Sequence, residues 1–303
     1  MGEHRSGFVA VVGRPNVGKS TLVNRLVGEK VTITSVRPNT TRRAVRGVLH
    51  RPGVQAVFVD TPGLHRPRSA LGRRLNEHLG DALGDVDVAV ALLDATEPVG
   101  PGDRLVLARA AQAVRQEKRA GTAGELGRLL VAVNKIDRAG HAQVLQRLAE
   151  ARAEVEPDEA DKGVEYFPIS AVSGAGLEAL VAAVLGRLPQ GPPYYPEEMV
   201  SDQPERFWVA ELVREQLLAR VRDELPHSIA CRVTDWDWPR VRVEVVVERE
   251  SQKAIVIGHQ GNILKEVGTA VRAQMPPGTF LELHVRVEPH WQQRHDSIER
   301  LGY

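Results

Sequence analysis

Between residues 8 and 27 the chain reads Phe-Val-Ala-Val-Val, then Gly13-Arg-Pro-Asn-Val-Gly-Lys-Ser20, then Thr-Leu-Val-Asn-Arg-Leu-Val. A short apolar run, a G-x4-G-K-S turn and an amphipathic stretch in that order predict a strand, a phosphate-cradling loop and a helix. The glycines let backbone N–H groups wrap around phosphates, and the helix N-terminus adds favourable partial charge. Lys19 is expected to reach the β- and γ-phosphates of a nucleotide, and Ser20 to offer its hydroxyl to Mg²⁺.

The rhythm set by this unit continues. Further apolar runs at 54–59, 86–93, 129–133 and 166–169 are nearly continuous, as strands covered on both faces are. Helical patterns at 20–27, 103–118, 142–155 and 176–188 alternate with them. This predicts an α/β domain with a mostly parallel sheet over residues 1–190. Four prolines and a glycine between 188 and 196 cannot continue a helix or a central strand, so 191–204 reads as a linker. From 205 to 303 the order becomes α-β-β-α-α-β: a helix over 205–225, strands over 227–234 and 241–248, helices over 251–257 and 262–274, and a strand over 280–287. The loop at 118–127 has no assigned role.

Composition narrows the class. With 40 basic and 39 acidic residues the formal charge is +1, so any nucleic-acid site must be a local patch. The single cysteine, Cys231, excludes an internal disulfide and a Cys-based zinc site. No stretch reaches the ~20 apolar residues of a membrane span, and the N-terminal apolar run is too short for a secretory signal. A cytoplasmic protein is expected.

Two further motifs fall at strand ends, where open α/β sheets bind ligands. Asp60-Thr61-Pro62-Gly63 closes the 54–59 run, followed by Leu64. Asp60 is expected to hold Mg²⁺ through a water, and Gly63 to give its N–H to the γ-phosphate. Asn134-Lys135-Ile136-Asp137 closes the 129–133 run. A carboxylate accepts two hydrogen bonds side by side, and guanine, unlike adenine, presents N1–H and N2–H₂ together, so Asp137 selects guanine. Lys135 can lie along the base, Asn134 either braces the loop or meets N7, and Ser170-Ala171 supplies backbone contact to the guanine oxygen. The GTP contacts expected are therefore Gly13, Arg14, Pro15, Asn16, Val17, Gly18, Lys19, Ser20, Thr21, Asp60 to Leu64, Asn134 to Asp137, Ser170 and Ala171.

At this point the chain resembles a translation-factor-type GTPase of the P-loop class. The resemblance implies that one threonine between 32 and 43 closes on Mg²⁺ and the γ-phosphate. It aligns Thr41, with Thr40 as the alternative. Lys19, Thr41 and Gly63 are then the catalytic set, and Ser20, Thr41 and Asp60 the Mg²⁺ set. Phosphoryl transfer to water needs positioning and charge neutralisation more than covalent chemistry. Leu64 stands where many GTPases carry a water-orienting glutamine, which implies slow intrinsic hydrolysis raised by a partner or a cation. Asn16 either holds a monovalent cation such as K⁺ or braces the turn.

In the second domain Gly258-His259-Gln260-Gly261 sits between two predicted helices. In an α-β-β-α-α-β chain this resembles a type II KH module, whose loop admits the backbone of single-stranded RNA. The missing Cβ atoms avoid collision with phosphates. The RNA-binding set is Lys253, Ile257, Gly258, His259, Gln260, Gly261, Asn262 and Lys265, with Ile255, Ile263 and Val267 beside the groove or in the core. Residues 201–303 hold 14 basic and 16 acidic residues, but 251–275 carry a local excess of two positive charges. Trp291 either stacks on a base or caps the core. Five arginines and no acid between 37 and 51 either touch RNA, exchange contact with the KH module when the nucleotide changes, or form a solvated loop.

Taken together with Thr40-Thr41-Arg42, Asp60 to His65, 214–217 (R-E-Q-L), 223–228 (D-E-L-P-H-S) and 251–258 (S-Q-K-A-I-V-I-G), these motifs resemble the Era-like family of bacterial ribosome-assembly GTPases. The resemblance implies GTP-gated binding of 16S ribosomal RNA near its 3′ end on the 30S subunit, and peripheral association with the inner membrane. The family often has lysine where this chain has His259 and Gln260. A monomer is expected. The competing readings are an RNA-binding assembly protein whose nucleotide is structural, and a membrane or tRNA-modification GTPase.

Overall fold

The computed structural model describes residues 4–35, 37, 40–63, 70–75, 86–116, 128–155, 163–221 and 225–303. The chain forms two compact units. The first holds residues 1–32, 41–66 and 75–202, and the second holds 33–40, 67–74 and 203–303.

The first unit is a six-stranded sheet in the order β2-β3-β1-β4-β5-β6. Its strands are β1 (Arg5–Gly13), β2 (Val45–Arg51), β3 (Val54–Asp60), β4 (Val88–Asp94), β5 (Leu129–Asn134) and β6 (Glu165–Pro168). All neighbours are parallel except β2, which runs antiparallel to β3 along the edge. The continuous apolar runs follow from burial on both faces, because the period-two alternation of each strand feeds two separate cores. Val9 and Val11 of β1, Val90 and Leu92 of β4 and Leu130 of β5 pack toward α1 (Lys19–Val27), on the face that α4 (Leu177–Arg187) also covers. Ala10, Val12, Ala91, Leu93 and Val131 pack toward α2 (Pro101–Gln116) and α3 (His141–Val155). The order reverses at β1, with β3 on one side and β4 on the other, so the loop after β1 opens into a crevice at the strand C-termini.

Two expectations are corrected in this unit. β2 was not among the predicted strands: Arg46, Gly47, His50 and Arg51 interrupt its apolar pattern, which an edge position tolerates. Residues 191–202, expected as linker, are built onto the first unit. Val48 N–H donates to the Val200 carbonyl (2.8 Å), and the Gln55 carboxamide accepts from Tyr194 N–H (2.7 Å) and donates to the Tyr195 carbonyl (2.8 Å). The reason is the bare edge of β2, whose backbone groups the segment partners.

In the second unit, α5 (Glu205–Arg220) precedes a three-stranded sheet of β7 (Ala230–Asp237), β8 (Arg240–Val247) and β9 (Phe280–Val287). β7 and β8 are antiparallel, β8 and β9 parallel. The parallel pair needs a crossover, which α6 (Glu250–Ile257) and α7 (Asn262–Arg272) provide. A further short helix, α8 (His295–Arg300), closes the chain; its six polar-rich residues carry no periodicity to predict it from. All four tryptophans, Trp208, Trp236, Trp238 and Trp291, belong to this unit. Trp291 is fully buried and its indole N–H donates to the Ser228 carbonyl (2.9 Å), so it caps the core and cannot stack on a base.

The basic stretch 37–51 is not a free arm. Arg42 is buried, and Arg46 pairs with Asp202 (2.8 Å). Within the second unit, Arg37 donates to the Val221 carbonyl (3.2 Å), Thr34 N–H donates to Glu215 (2.9 Å), and the buried Arg214 donates to the Thr40 carbonyl.

Candidate nucleotide and RNA sites

The loop from Gly13 to Ser20 turns back on the helix it opens. Asn16 and Gly18 take positive φ (64° and 106°), and a Cβ on Gly18 would stand 2.3 Å from the Asn134 Nδ2. Lys19 is buried inside the turn, where its ammonium donates to the carbonyls of Gly13 and Arg14 (3.0 Å each). Burial pulls its pKa down to about 8, although Asp60 opposes this. Not every side chain of the motif faces the crevice. Arg14 turns toward the start of α2, pairing with Asp103 (2.6 Å) and Glu97 (2.8 Å), so only its backbone belongs to the loop. Val17 lies in the core, Thr21 stands in the first turn of α1, and Pro15 packs against Gly63 so closely that a Cβ there would meet it at 2.9 Å.

Across the crevice, Asp60 ends β3 fully buried. Its Oδ2 accepts from the hydroxyls of Thr32 (2.9 Å) and Thr41 (3.1 Å), and the Thr41 hydroxyl also lies 3.0 Å from that of Ser20. Thr40 is not at this cluster; its hydroxyl donates to the Arg37 carbonyl (2.8 Å). Asp60 Oδ1 is buried with no hydrogen-bond partner. Burial pushes the carboxyl above its ordinary range, against the pull of Lys19 and the hydroxyls. An orphaned carboxylate oxygen beside two aliphatic hydroxyls is an all-oxygen donor set that fits a small hard cation such as Mg²⁺. Thr61 fastens its hydroxyl to the Val11 carbonyl (2.8 Å) and Pro62 is buried. Leu64 lies outside the described residues, as does the loop 118–127.

The base side is assembled from β5 and the turn after β6. Asn134 donates to the Val17 carbonyl (2.8 Å) and accepts from Ala171 N–H (2.9 Å), tying the phosphate loop to the base loop. Of its two expected roles, the bracing one is what these bonds perform. Lys135, at φ 69°, pairs its ammonium with Asp94 (2.5 Å). Asp94 also accepts from the Thr96 hydroxyl (2.6 Å); burial pushes its carboxyl up, but Lys135 and Thr96 hold it below the ordinary range. Ile136 packs its partly buried side chain against the core beside α3. Asp137 remains partly exposed, with Oδ1 accepting from the Ser170 hydroxyl (2.6 Å). Asp94 and Thr32 were not singled out from sequence, because neither lies in a recognisable motif.

In the second unit the turn between α6 and α7 carries Gly258, Gln260 and Gly261 at positive φ (75°, 51° and 77°). The glycines differ in what requires them. A Cβ on Gly258 would meet Asn262 Oδ1 at 2.1 Å and Ile263 N at 3.0 Å, whereas one on Gly261 would meet nothing within 4 Å. The open side of the loop is therefore at Gly261, with His259 and Gln260 exposed before it. Lys253 is half-buried on α6, and Lys265 and Asn262 are exposed on α7. Of the apolar candidates, Val267 is core, Ile257 and Ile263 pack partly against the core, and Ile255 is exposed.

An open α/β unit with these motifs at its strand ends, followed by an α/β module with a G-x-x-G turn between helices, defines a P-loop GTPase joined to a KH domain. The family model described as 50S ribosome-binding GTPase matches residues 8–135, and the KH-domain model matches 224–292. GTPase Era of Mycobacterium avium is 45% identical over the whole of both chains, and GTPase Era of Mycolicibacterium smegmatis 43%. The crystal structure of Era with MgGDPNP and nucleotides 1506–1542 of 16S ribosomal RNA matches at TM-score 0.85 and 36% identity, covering 99% of each chain. A variant of Aquifex aeolicus Era bound to GDP·AlF₄⁻ matches at TM-score 0.85 and 35% identity, again over 99% of each. The chain belongs to the Era family of GTPases.

Proposed function

We propose that this chain binds GTP with Mg²⁺, hydrolyses it slowly, and uses the nucleotide state to gate binding of single-stranded RNA at the 3′ end of 16S ribosomal RNA during 30S maturation. The observation that supports it best is the convergence of Lys19, Asp60 and Asp137 on one rim of one sheet in a chain that also carries an open G-x-x-G turn. The related Era is described with both a Mg-bound GTP analogue and that RNA segment.

Ser20, Thr41 and Asp60 would hold Mg²⁺, the last through a water, and the cation would neutralise charge on the phosphates. The Lys19 ammonium would exchange the Gly13 and Arg14 carbonyls for phosphate oxygens, whose negative charge favours its protonated form. Gly63 offers its N–H to the γ-phosphate. Water attacks the γ-phosphorus while the bond to the β-phosphate oxygen breaks, giving GDP and phosphate. Leucine at 64 cannot orient that water, so turnover waits for a partner or for K⁺ held by Asn16. Guanine is read by Asp137, with Lys135 along its face. RNA phosphates approach at Gly261, near Lys253 and Lys265. We place this activity in the cytoplasm, in a monomer, with peripheral contact to the inner membrane as a second setting.

The test is binding of a short RNA copying the 16S 3′ end, with non-hydrolysable GTP and with GDP, to the full chain and to Gly261→Asp. Position 261 has open space but a left-handed φ of 77°, so this variant is expected to fold with a loss of about 1–2 kcal/mol and to lose RNA. Binding that requires the GTP analogue and is lost in the variant supports the gate. Equal binding with both nucleotides leaves an RNA-binding protein with uncoupled nucleotide, and binding retained in the variant moves the RNA site elsewhere.

A further inference from the structure

Two threonine hydroxyls reach Asp60 Oδ2, and they are placed differently. Thr41 is shared: its hydroxyl lies between Asp60 and Ser20 (3.1 and 3.0 Å). Thr32 reaches Asp60 (2.9 Å) from a fully enclosed position, 2% exposed. Its backbone is gripped by one side chain. Asn24 Oδ1 accepts from the N–H groups of Val31 (2.9 Å) and Thr32 (3.0 Å), while Asn24 Nδ2 donates to the Thr32 carbonyl (2.8 Å). That single carboxamide satisfies three backbone groups of a segment outside any strand or helix. Asn24 stands on α1 four residues after Ser20, hence one turn along the same face of the helix that opens at the phosphate loop.

We propose that Thr32, held by Asn24, is a positioning residue for the cation-binding carboxylate. If Thr41 turns its oxygen to a cation, Asp60 Oδ2 loses one of its two hydroxyl donors. Thr32 keeps the other in place and so holds the carboxylate, whose Oδ1 has no hydrogen-bond partner, in one orientation. The relay Ser20–helix–Asn24–Thr32–Asp60 then ties both sides of the cation site to one rigid element. Groups that orient metal ligands in this way alter metal affinity by about 10–100-fold when removed. This inference rests on the Mg²⁺ reading above.

The experiment measures release of a fluorescent GDP from the full chain as free Mg²⁺ is titrated, in wild type, Thr32→Val and Thr32→Ser. Valine keeps the branched shape and removes the hydroxyl; serine keeps the hydroxyl. The expected result for Thr32→Val is a Mg²⁺ midpoint raised about tenfold or more. GDP affinity in EDTA and the melting temperature are expected to stay at wild-type values, and Thr32→Ser to return close to the wild-type midpoint. A wild-type midpoint in Thr32→Val overturns the proposal, as does an equal loss of GDP affinity in EDTA. Should Thr32→Val not fold, Thr32→Ala is read against Thr32→Ser by the same criteria. If wild-type release is insensitive to Mg²⁺, it is the cation reading that fails.

Discussion

At the scale of single residues, the base site makes a sharp chemical claim. Asp137 presents one oxygen to Ser170 (2.6 Å) and stays partly open to accept donors. An asparagine there would offer an N–H₂ where guanine also has a donor, but would complement the 2-oxo group of xanthine. Asp137→Asn is expected to lower GDP affinity by about 10²–10⁴-fold, from two hydrogen bonds to a charged acceptor at about 1.5–3 kcal/mol each, and to gain affinity for XDP. Competition of both nucleotides against a fluorescent GDP checks it, and an unchanged preference for guanine would remove Asp137 from base recognition. The motif was legible because its chemistry sits in four consecutive residues. Thr32 and Asn24 were not, because their value lies in three hydrogen bonds between segments that sequence spacing does not reveal. Arg14 and Ile136 show the converse: membership of a motif fixes the backbone, while burial and ion pairing decide where the side chain goes.

At the scale of elements, strands buried on both faces were readable, and elements defined by edges or by docking were not. β2 and the 191–202 segment stabilise one another at a sheet edge, so neither carries a periodic pattern of its own. α8 is six residues long and is held by side-chain bonds. Glu288 is the anchor: its carboxylate accepts from the Ser297 hydroxyl and the Arg300 guanidinium. Burial pushes that carboxyl up, but Ser297 and Arg300 outweigh it and hold it below the ordinary 4.5. The carboxylate is thus favoured in the folded state. Its contribution is present above pH 4.5 and is lost as pH falls through the lower folded value. Urea midpoints of wild type and Glu288→Gln across pH 3–7 are expected to differ most at pH 7 and to converge toward acid. Parallel curves would show that the docking of α8 does not use this charge.

At the scale of the whole molecule, the two units rest on different balances. The first is an apolar double core. The second buries an ion pair, Arg214 with Glu211 (2.7 Å), inside α5, with the guanidinium also reaching the Thr40 carbonyl. Glu211 holds Arg214 well above the ordinary arginine range, against burial. Arg214→Met would leave the buried Glu211 without its partner and is expected to destabilise the second unit by about 3–5 kcal/mol. Adding Glu211→Leu should return much of that loss. Denaturation followed by tryptophan emission checks both, and a single variant as stable as wild type would show the pair to be dispensable. The choice of probe is not neutral. Because every tryptophan lies beyond residue 203, emission at long wavelength is a private signal of the RNA-binding half. A nucleotide carrying a methylanthraniloyl group would place an energy acceptor in the other half, so the unlabelled chain already carries the donor of an energy-transfer pair.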